Sequence, residues 1–165
     1  MDRFDVASVS ASGGMIGICP IPGRAGDYAG DLAAILGWAP DLVLTMTTPE
    51  ELRRTGAAGF GATLRAQGLG WRHLPITDLG APAPATARLW PAASAHALAI
   101  LHGGGRVLVH CYGGCGRSGM AVLRLMVEAG ERPDTALRRL RAVRPCAVET
   151  SQQMAWATAG KPDRA

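Results

Sequence analysis

The feature that most constrains the fold is a strand, a glycine-rich loop and a helix that follow one another directly in the second half of the chain. The apolar run Arg106–His110 predicts a buried strand. Three of the five residues after Cys111 are glycines, and the pattern from Ser118 to Ala129 predicts an apolar helix. A strand that leads through a tight loop into a helix is typical of α/β proteins.

Apolar runs and turn residues alternate in the same way along the rest of the chain. Further strands are predicted at 15–19, 41–46 and 71–76, and helices at 28–38, 91–101, 133–142 and 149–159. The stretch 79–91 is rich in proline and alanine and is expected to be a loop. We predict one α/β domain over 1–165, with a central sheet of about four to five strands flanked by helices.

The segment Val109–Gly119 has the composition of an anion-binding loop. Its glycines allow the backbone to curl so that successive N–H groups point inward. The helix that begins near Arg117 adds its positive end, and the guanidinium can bind a phosphate through two parallel hydrogen bonds. Cys111 faces the same donors, so we expect a thiolate that attacks a bound phosphate and forms a cysteinyl-phosphate.

Residues His110 to Ser118 spell His-Cys-x2-Gly-x2-Arg-Ser, which resembles the signature of the cysteine-dependent protein tyrosine and dual-specificity phosphatase superfamily. The Tyr-Gly-Gly-x-Gly-Arg-Ser part is most similar to the branch of the cyclin-dependent-kinase-associated phosphatase and its bacterial relatives. The similarity continues, with low specificity, through 74–78 and 18–23. It implies a single-domain protein tyrosine phosphatase-like fold of the dual-specificity type.

The resemblance also implies a role for individual residues. Cys111 is the nucleophile, Ser118 stabilises the departing thiolate, and His110 supports the loop and keeps the thiol acidic. The phosphate is bound by Arg117 together with Tyr112, Gly113, Gly114, Cys115 and Gly116.

The superfamily mechanism requires a general acid, and Asp78 is the candidate. It lies 33 positions before Cys111, directly after a predicted strand. Thr77-Asp78-Leu79 stands where receptor-like tyrosine phosphatases have Trp-Pro-Asp, which favours the smaller dual-specificity type. The alternative is that Asp78 only caps a turn. Gln153 resembles a glutamine that positions the hydrolytic water in some relatives, and its alternative is a polar helix face.

Composition excludes several other functions. Lys161 is the only lysine among 17 basic residues, which argues against a Walker-type nucleotide-binding loop and against pyridoxal chemistry. The net charge of +4 suits anionic ligands, but few aromatics lie among the scattered arginines, so we expect no nucleic-acid partner. Arg138, Arg139, Arg141 and Arg144 are interpreted as a solvated helix face, with recruitment of an acidic partner as the alternative.

The same evidence suggests a cytoplasmic protein with no membrane partner. The first residues lack a secretory pattern, and no apolar run approaches the ~20 residues of a membrane span.

In a reducing compartment, Cys19, Cys111, Cys115 and Cys146 are expected to be free thiols. Cys115 is either a resolving thiol for Cys111 or a small loop residue, and Cys19 and Cys146 remain open. His110, Cys111 and Cys115 do not have zinc-ligand spacing, so neither metal nor cofactor is expected.

We therefore expect a metal-independent phosphatase that hydrolyses phosphotyrosine, with phosphoserine and phosphothreonine as further substrates. The variable loop residues Tyr112, Gly113, Cys115 and Gly116 are uncharged. Because members of the superfamily that act on polyphosphorylated inositides usually have lysines there, the resemblance favours a phosphorylated protein or peptide. The alternatives are a catalytically silent phosphate-binding adaptor and a rhodanese-like sulfurtransferase. No oligomeric state is predicted.

Overall fold

The computed structural model describes residues 3–162. Its strands are β1 (Ala7–Ala11), β2 (Gly14–Cys19), β3 (Leu42–Thr45), β4 (Gly70–His73) and β5 (Arg106–His110). Its helices are α1 (Tyr28–Trp38), α2 (Pro49–Arg54), α3 (Phe60–Ala66), α4 (Pro84–His102), α5 (Gly116–Glu128), α6 (Pro133–Val143) and α7 (Ser151–Thr158). None of these helices is long and apolar enough to cross a membrane.

The strands form one five-stranded sheet in the order β1-β2-β5-β3-β4, which confirms the predicted α/β fold class. The pairs β2–β5, β5–β3 and β3–β4 are parallel, and only β1 pairs antiparallel, with β2. The strand with the strongest apolar pattern, β5, is therefore the centre of the sheet. Its carboxyl end is also the point where the glycine-rich loop begins.

Side chains that alternate along the inner strands build a separate core on each face of the sheet. On β5, Val107 and Val109 pack against α4, α5 and α6, whereas Leu108 packs against α1, α2 and α3. On β3, Leu44 and Val43 divide in the same way. Strands buried on both faces are continuous apolar runs, which is why β3 and β5 were recognisable in the sequence.

Helix α4 differs from its prediction. It begins at Pro84 rather than at Pro91, and the expected loop over 79–91 therefore ends seven residues earlier. Proline is favourable in the first helical turn because it has no N–H to leave unpaired there, and Pro84 occupies that position. The second proline, Pro91, lies inside the helix, where the apolar face that includes Trp90 packs on the core.

Strand β1 and helices α2 and α3 were not predicted. The β1 sequence Ala-Ser-Val-Ser-Ala lacks a strong apolar run because it is an edge strand with one partner. It is joined to β2 by Ser12 and Gly13, both at positive φ, 51° and 89°. Two residues with positive φ form the hairpin turn that matches the twist of the two strands. The Ser-Gly pair was therefore the sequence signal for a hairpin, and with it for strand β1.

Candidate active site

Cys111 directly follows β5, at the carboxyl end of the central strand. In parallel sheets this edge is where ligands bind, since loops and helix N-termini converge there. The Sγ atom lies 3.1 Å from Oγ of Ser118, and both residues are buried. The Ser118 hydroxyl is therefore within hydrogen-bond distance of the sulfur.

The loop after Cys111 turns sharply at Gly114. This residue has a φ of +72°, and a Cβ atom there would lie 2.7 Å from the backbone of Cys19 and Pro20. Both the dihedral angle and the close approach require glycine. The turn leads directly into α5, so the positive N-terminal end of that helix faces the loop.

The guanidinium of Arg117 lies at the start of α5 and is held by several acceptors. Its Nη2 and Nη1 donate to the two carboxylate oxygens of Glu51 at 2.7 and 2.8 Å, and Nη1 also donates to the carbonyl of Ile76 at 2.8 Å. Burial opposes the charge, but the bonds to Glu51 raise the pKa of Arg117 above its ordinary value. The Nε–H is buried and has no hydrogen-bond partner among residues 3–162, so a donor remains for a ligand.

Glu51 was missed by sequence reasoning although it is the main partner of Arg117. It lies in the first turn of α2, where its carboxylate accepts from the N–H of Thr48 at 2.8 Å and completes a capping box. Burial opposes its ionisation, yet the hydrogen bonds from Arg117 and Thr48 lower the pKa of Glu51 to about 2. The Thr-Pro-Glu-Glu sequence after a buried strand is a helix-start signal, but nothing local relates it to a residue 66 positions away.

Asp78 lies beside the same guanidinium, in the loop that follows β4. Its Oδ1 is 3.3 Å from Nη2 of Arg117, and its side chain is 68% exposed. The same oxygen accepts from the N–H of Leu79 at 2.9 Å. Asp78 therefore also makes the contact expected of a residue that caps a turn. Leu79 adopts a left-handed φ of 64°. The role of Asp78 as an acid stays a prediction, but its carboxylate is at the edge of the site and open to solvent.

Solved structures place this arrangement in a known fold. Kinase associated phosphatase, with its catalytic site cysteine substituted by serine, aligns with a TM-score of 0.80 at 21% identity over 95% of this chain and 93% of that chain. Tk-PTP in its active form aligns with a TM-score of 0.67 at 25% identity, over 87% of this chain and 89% of that chain. PTPMT1 in complex with PI(5)P aligns at 0.73, with 17% identity over 92% of both. No protein-family model and no curated protein sequence matches.

The chain has the protein tyrosine and dual-specificity phosphatase fold. This fold is the one expected from the resemblance of the signature sequence.

His110 is the last member of a chain of hydrogen bonds that runs from Trp71 through Thr45 to the backbone of Cys111. Nε1 of Trp71 donates to Oγ1 of Thr45 at 2.8 Å, and that hydroxyl is 2.8 Å from Nε2 of His110. Nδ1 is 3.2 Å from the carbonyl of Cys111, which can only accept, so the ring proton is on Nδ1. Nε2 of the neutral ring is then an acceptor, and the Thr45 hydroxyl donates to it. Burial lowers the pKa of His110 to about 4, so the imidazole is neutral at pH 7.

Gln153 is buried in the first turn of α7 and is not part of a polar surface. Its Oε1 accepts from the N–H groups of Glu149 and Thr150 at 2.9 and 3.2 Å. Its Nε2 donates to the carbonyl of Gly80 at 3.2 Å. The side chain therefore caps α7 and tethers the loop that contains Asp78. A role in positioning water stays a prediction.

The expectation of four free thiols is wrong. Cys115 and Cys146 form a disulfide, with their Cα atoms 5.2 Å apart, so Cys115 is not paired with the predicted nucleophile. Cys19 and Cys111 are free and buried. Burial raises the pKa of the Cys19 thiol. Pairing between residues 31 positions apart depends on how α6 packs beside α5, which the local sequence did not reveal.

The interpretation of four arginines as a solvated face is wrong for Arg139 and Arg144, which are only partly exposed. Arg141 is exposed, as expected, although it is also hydrogen-bonded. Arg139 binds Glu131 and Ser10, and Arg141 donates to the carbonyl of Ala147. Arg144 donates to the carbonyls of Gly114 and Gly113 in the loop after β5. Arg138 is exposed, as expected.

Proposed function

We propose that this protein is a metal-independent phosphoprotein phosphatase that acts on phosphotyrosine, with phosphoserine and phosphothreonine as further substrates. The observation that most supports the proposal is the placement of the Cys111 sulfur, the Ser118 hydroxyl and the Arg117 guanidinium around one loop at a helix N-terminus. Here a nucleophile, a donor for the leaving sulfur and a cationic phosphate ligand adjoin one another, as phosphoryl transfer to cysteine requires.

Phosphate binding relies on groups whose positions are already fixed. The loop amides of 112–117 and the free Nε–H of Arg117 supply the donors, while Glu51 holds the far side of the guanidinium. Because the donors are in place before substrate arrives, little reorganisation is needed when charge builds up on the phosphoryl oxygens. Asp78 leaves its contact with Arg117 when it turns toward the leaving group.

The reaction has two displacements at phosphorus. In the first, the Cys111 thiolate forms the S–P bond as the P–O bond to the leaving group breaks, and protonated Asp78 gives its proton to the departing oxygen. In the second, Asp78 removes a proton from water, the water oxygen bonds to phosphorus, and the S–P bond breaks. Ser118 donates a hydrogen bond to the departing thiolate at that step. Inorganic phosphate leaves and the thiolate is restored.

The surroundings of Tyr112 support a phosphoprotein substrate with acidic residues near the phosphate. The guanidinium carbons of Arg24 and Arg54 lie 5.3 and 5.8 Å from the centre of its ring. Two cationic side chains therefore lie beside Tyr112 at the rim of the site, although the variable loop residues are uncharged. Since PTPMT1 was solved with PI(5)P, phosphotyrosine peptides with acidic or neutral flanks should be compared with a phosphoinositide. Faster release of phosphate from the lipid would overturn this substrate class.

The direct test is p-nitrophenyl phosphate hydrolysis in excess chelator, with trapping of the phosphoenzyme by acid quench. Cys111→Ser should abolish both turnover and the trapped phosphocysteine, while still binding tungstate. Cys19→Ser is the matched control, because this buried free thiol has no assigned role. Turnover by Cys111→Ser would refute the covalent mechanism. Tungstate binding by a wild-type protein without turnover would favour the adaptor, and sulfur transfer from thiosulfate to cyanide would favour the rhodanese-like alternative.

Asp78→Asn tests the acid. Removal of a general acid costs about 10²–10⁴-fold in rate, and the loss is greatest for poor leaving groups. The rate of hydrolysis should therefore fall more for phenyl phosphate than for p-nitrophenyl phosphate. The limb of the pH–rate profile that reports the protonated acid should disappear. Asp134→Asn, at an exposed position of α6, is the control. An unchanged profile in Asp78→Asn would remove this residue from the mechanism.

A further inference from the structure

The outer side of the phosphate loop is held by a neighbouring segment that follows α6. Nε of Arg144 donates to the carbonyl of Gly114 at 2.8 Å, and Nη2 donates to the carbonyl of Gly113 at 3.0 Å. The N–H of Val148 donates to the carbonyl of Cys115 at 3.1 Å. This segment thus binds three consecutive loop carbonyls, of which that of Cys115 also accepts from the N–H of Gly119 at 2.9 Å in the first turn of α5.

These contacts fix where the loop amides point. In a planar trans peptide the C=O and the following N–H point in opposite directions. Carbonyls of Gly113, Gly114 and Cys115 that face the segment after α6 therefore direct the N–H groups of 114, 115 and 116 away from it. The amide array that is expected to bind phosphate depends on what holds its carbonyls.

A covalent bond joins the same two segments. Cys115, in the loop, is disulfide-bonded to Cys146, which lies midway between Arg144 and Val148. Alternate residues of the segment thus face the loop: an arginine, a half-cystine and a backbone N–H. We call Arg144, Cys146 and Val148 the loop clamp.

The clamp is itself held in place. Nε and Nη2 of Arg141 donate to the carbonyls of Ala147 and Val148 at 2.9 and 3.0 Å. Val148 has a φ of +67°, which is unfavourable for a β-branched residue and persists only where surrounding contacts enforce it. Cys146 is exposed and Cys115 is half-buried, whereas Cys19 and Cys111 are buried. A thiol reductant in solution thus meets this disulfide before it meets the nucleophile.

We propose that the loop clamp positions the phosphate-binding amides, and that reduction of the Cys115–Cys146 disulfide loosens it. This inference rests on the proposed function, because it assumes that the loop binds phosphate. The redox step is a thiol–disulfide exchange with a dithiol reductant. The reductant supplies two electrons and two protons, the S–S bond breaks to give two thiols, and the dithiol becomes a disulfide. Arg144 and Val148 then hold the loop without a covalent tether.

The experiment uses the full chain carrying Cys111→Ser, so that redox chemistry of the nucleophile does not contribute. Tungstate affinity is measured by calorimetry before and after treatment with a dithiol, and alkylation with mass analysis counts the thiols that are released. Amide hydrogen exchange of 112–117 is followed in the same samples. We expect reduction to weaken tungstate binding by about tenfold and to speed exchange in the loop.

Variants separate the two parts of the clamp. In the same background, Cys146→Ser should show the weaker affinity and should not respond to the dithiol. Arg144→Ala should weaken tungstate binding by about tenfold, and Arg144→Lys should recover part of the loss because one donor returns. Arg138→Ala, an exposed arginine of α6, is the matched control for charge and should leave affinity unchanged.

The outcomes distinguish the clamp from the proposed function. Unchanged loop exchange after confirmed reduction, or an Arg144→Ala affinity equal to that of Arg138→Ala, would overturn the clamp while leaving phosphate binding intact. Failure of the oxidised protein to bind tungstate would overturn the phosphate site. The exchange measurement would then still test the mechanical part of the inference.

Discussion

Glu51→Gln is the most informative single substitution, because it keeps the size of the side chain and removes the charge that holds Arg117. A pKa lowered from 4.5 to about 2 corresponds to at most about 3 kcal/mol of stability. Breaking a buried ion pair costs about 3–5 kcal/mol when one charge is left without a partner. Glutamine keeps one acceptor for Arg117, and the guanidinium also keeps its bond to the carbonyl of Ile76. We therefore expect a loss of about 2 kcal/mol at pH 7.

The loss should depend on pH in a known direction. Between pH 4.5 and about 2 the unfolded chain holds a proton on Glu51 that the folded protein does not. The carboxylate therefore contributes its full stabilisation above pH 4.5, and this contribution disappears as pH falls toward 2. The difference between wild type and Glu51→Gln should shrink over the same interval.

Urea denaturation at several pH values measures this difference, with Glu50→Gln as the control since Glu50 is the exposed neighbour on the same helix. Activity should respond as well, because a displaced guanidinium lowers kcat/KM by about tenfold to hundredfold. A Glu51→Gln protein that matches Glu50→Gln in stability at pH 7, or a difference that does not change with pH, would refute the role of the ion pair.

Three further predictions concern stability. Between pH 6.5 and about 4 the unfolded chain holds a proton on His110 that the folded protein does not, so wild type loses stability as pH falls, and His110→Asn should lose less. Urea denaturation at several pH values measures this, with the exposed His102→Asn as the control, and an equal dependence of unfolding free energy on pH would contradict it. Cys146→Ser should lower the unfolding free energy by about 3–4 kcal/mol, since the disulfide closes a loop with a separation of 31 residues, and calorimetry should show Tm about 10 °C lower; an unchanged Tm would show that the bond is absent in solution. Gln153→Leu should cost about 2 kcal/mol, because two N–H groups at the start of α7 lose their acceptor; a loss below about 0.5 kcal/mol in urea would contradict this capping role.

Sequence reasoning succeeded where the signal was local. The strand at 106–110 and the helix at 28–38 were placed at their observed bounds, since continuous apolar runs and helical spacing reflect the periodicity of each element. It failed where a local signal had two meanings. Proline predicts a helix start at Pro91, but Pro84 fills that position in the structure. The short helices α2 and α3 have too few turns to show a periodic apolar pattern.

The same distinction applies to the candidate site. The signature segment brings Cys111, Arg117 and Ser118 together because a strand, a tight turn and a helix lie within a dozen residues, so their proximity follows from local geometry. The loop glycines predict a tightly curled backbone, and Gly114 has the positive φ that such a turn requires.

What the sequence by itself determined is the strand–loop–helix unit and the chemistry of its side chains, since both depend on neighbours along the chain. Only the tertiary structure decided what surrounds that unit. Glu51 reaches Arg117 because the parallel order places β3 next to β5, and Arg144 and Cys146 reach the loop because α6 packs beside α5. Such contacts join residues 30 to 66 positions apart, and they arise from burying apolar faces that do not themselves specify a polar partner.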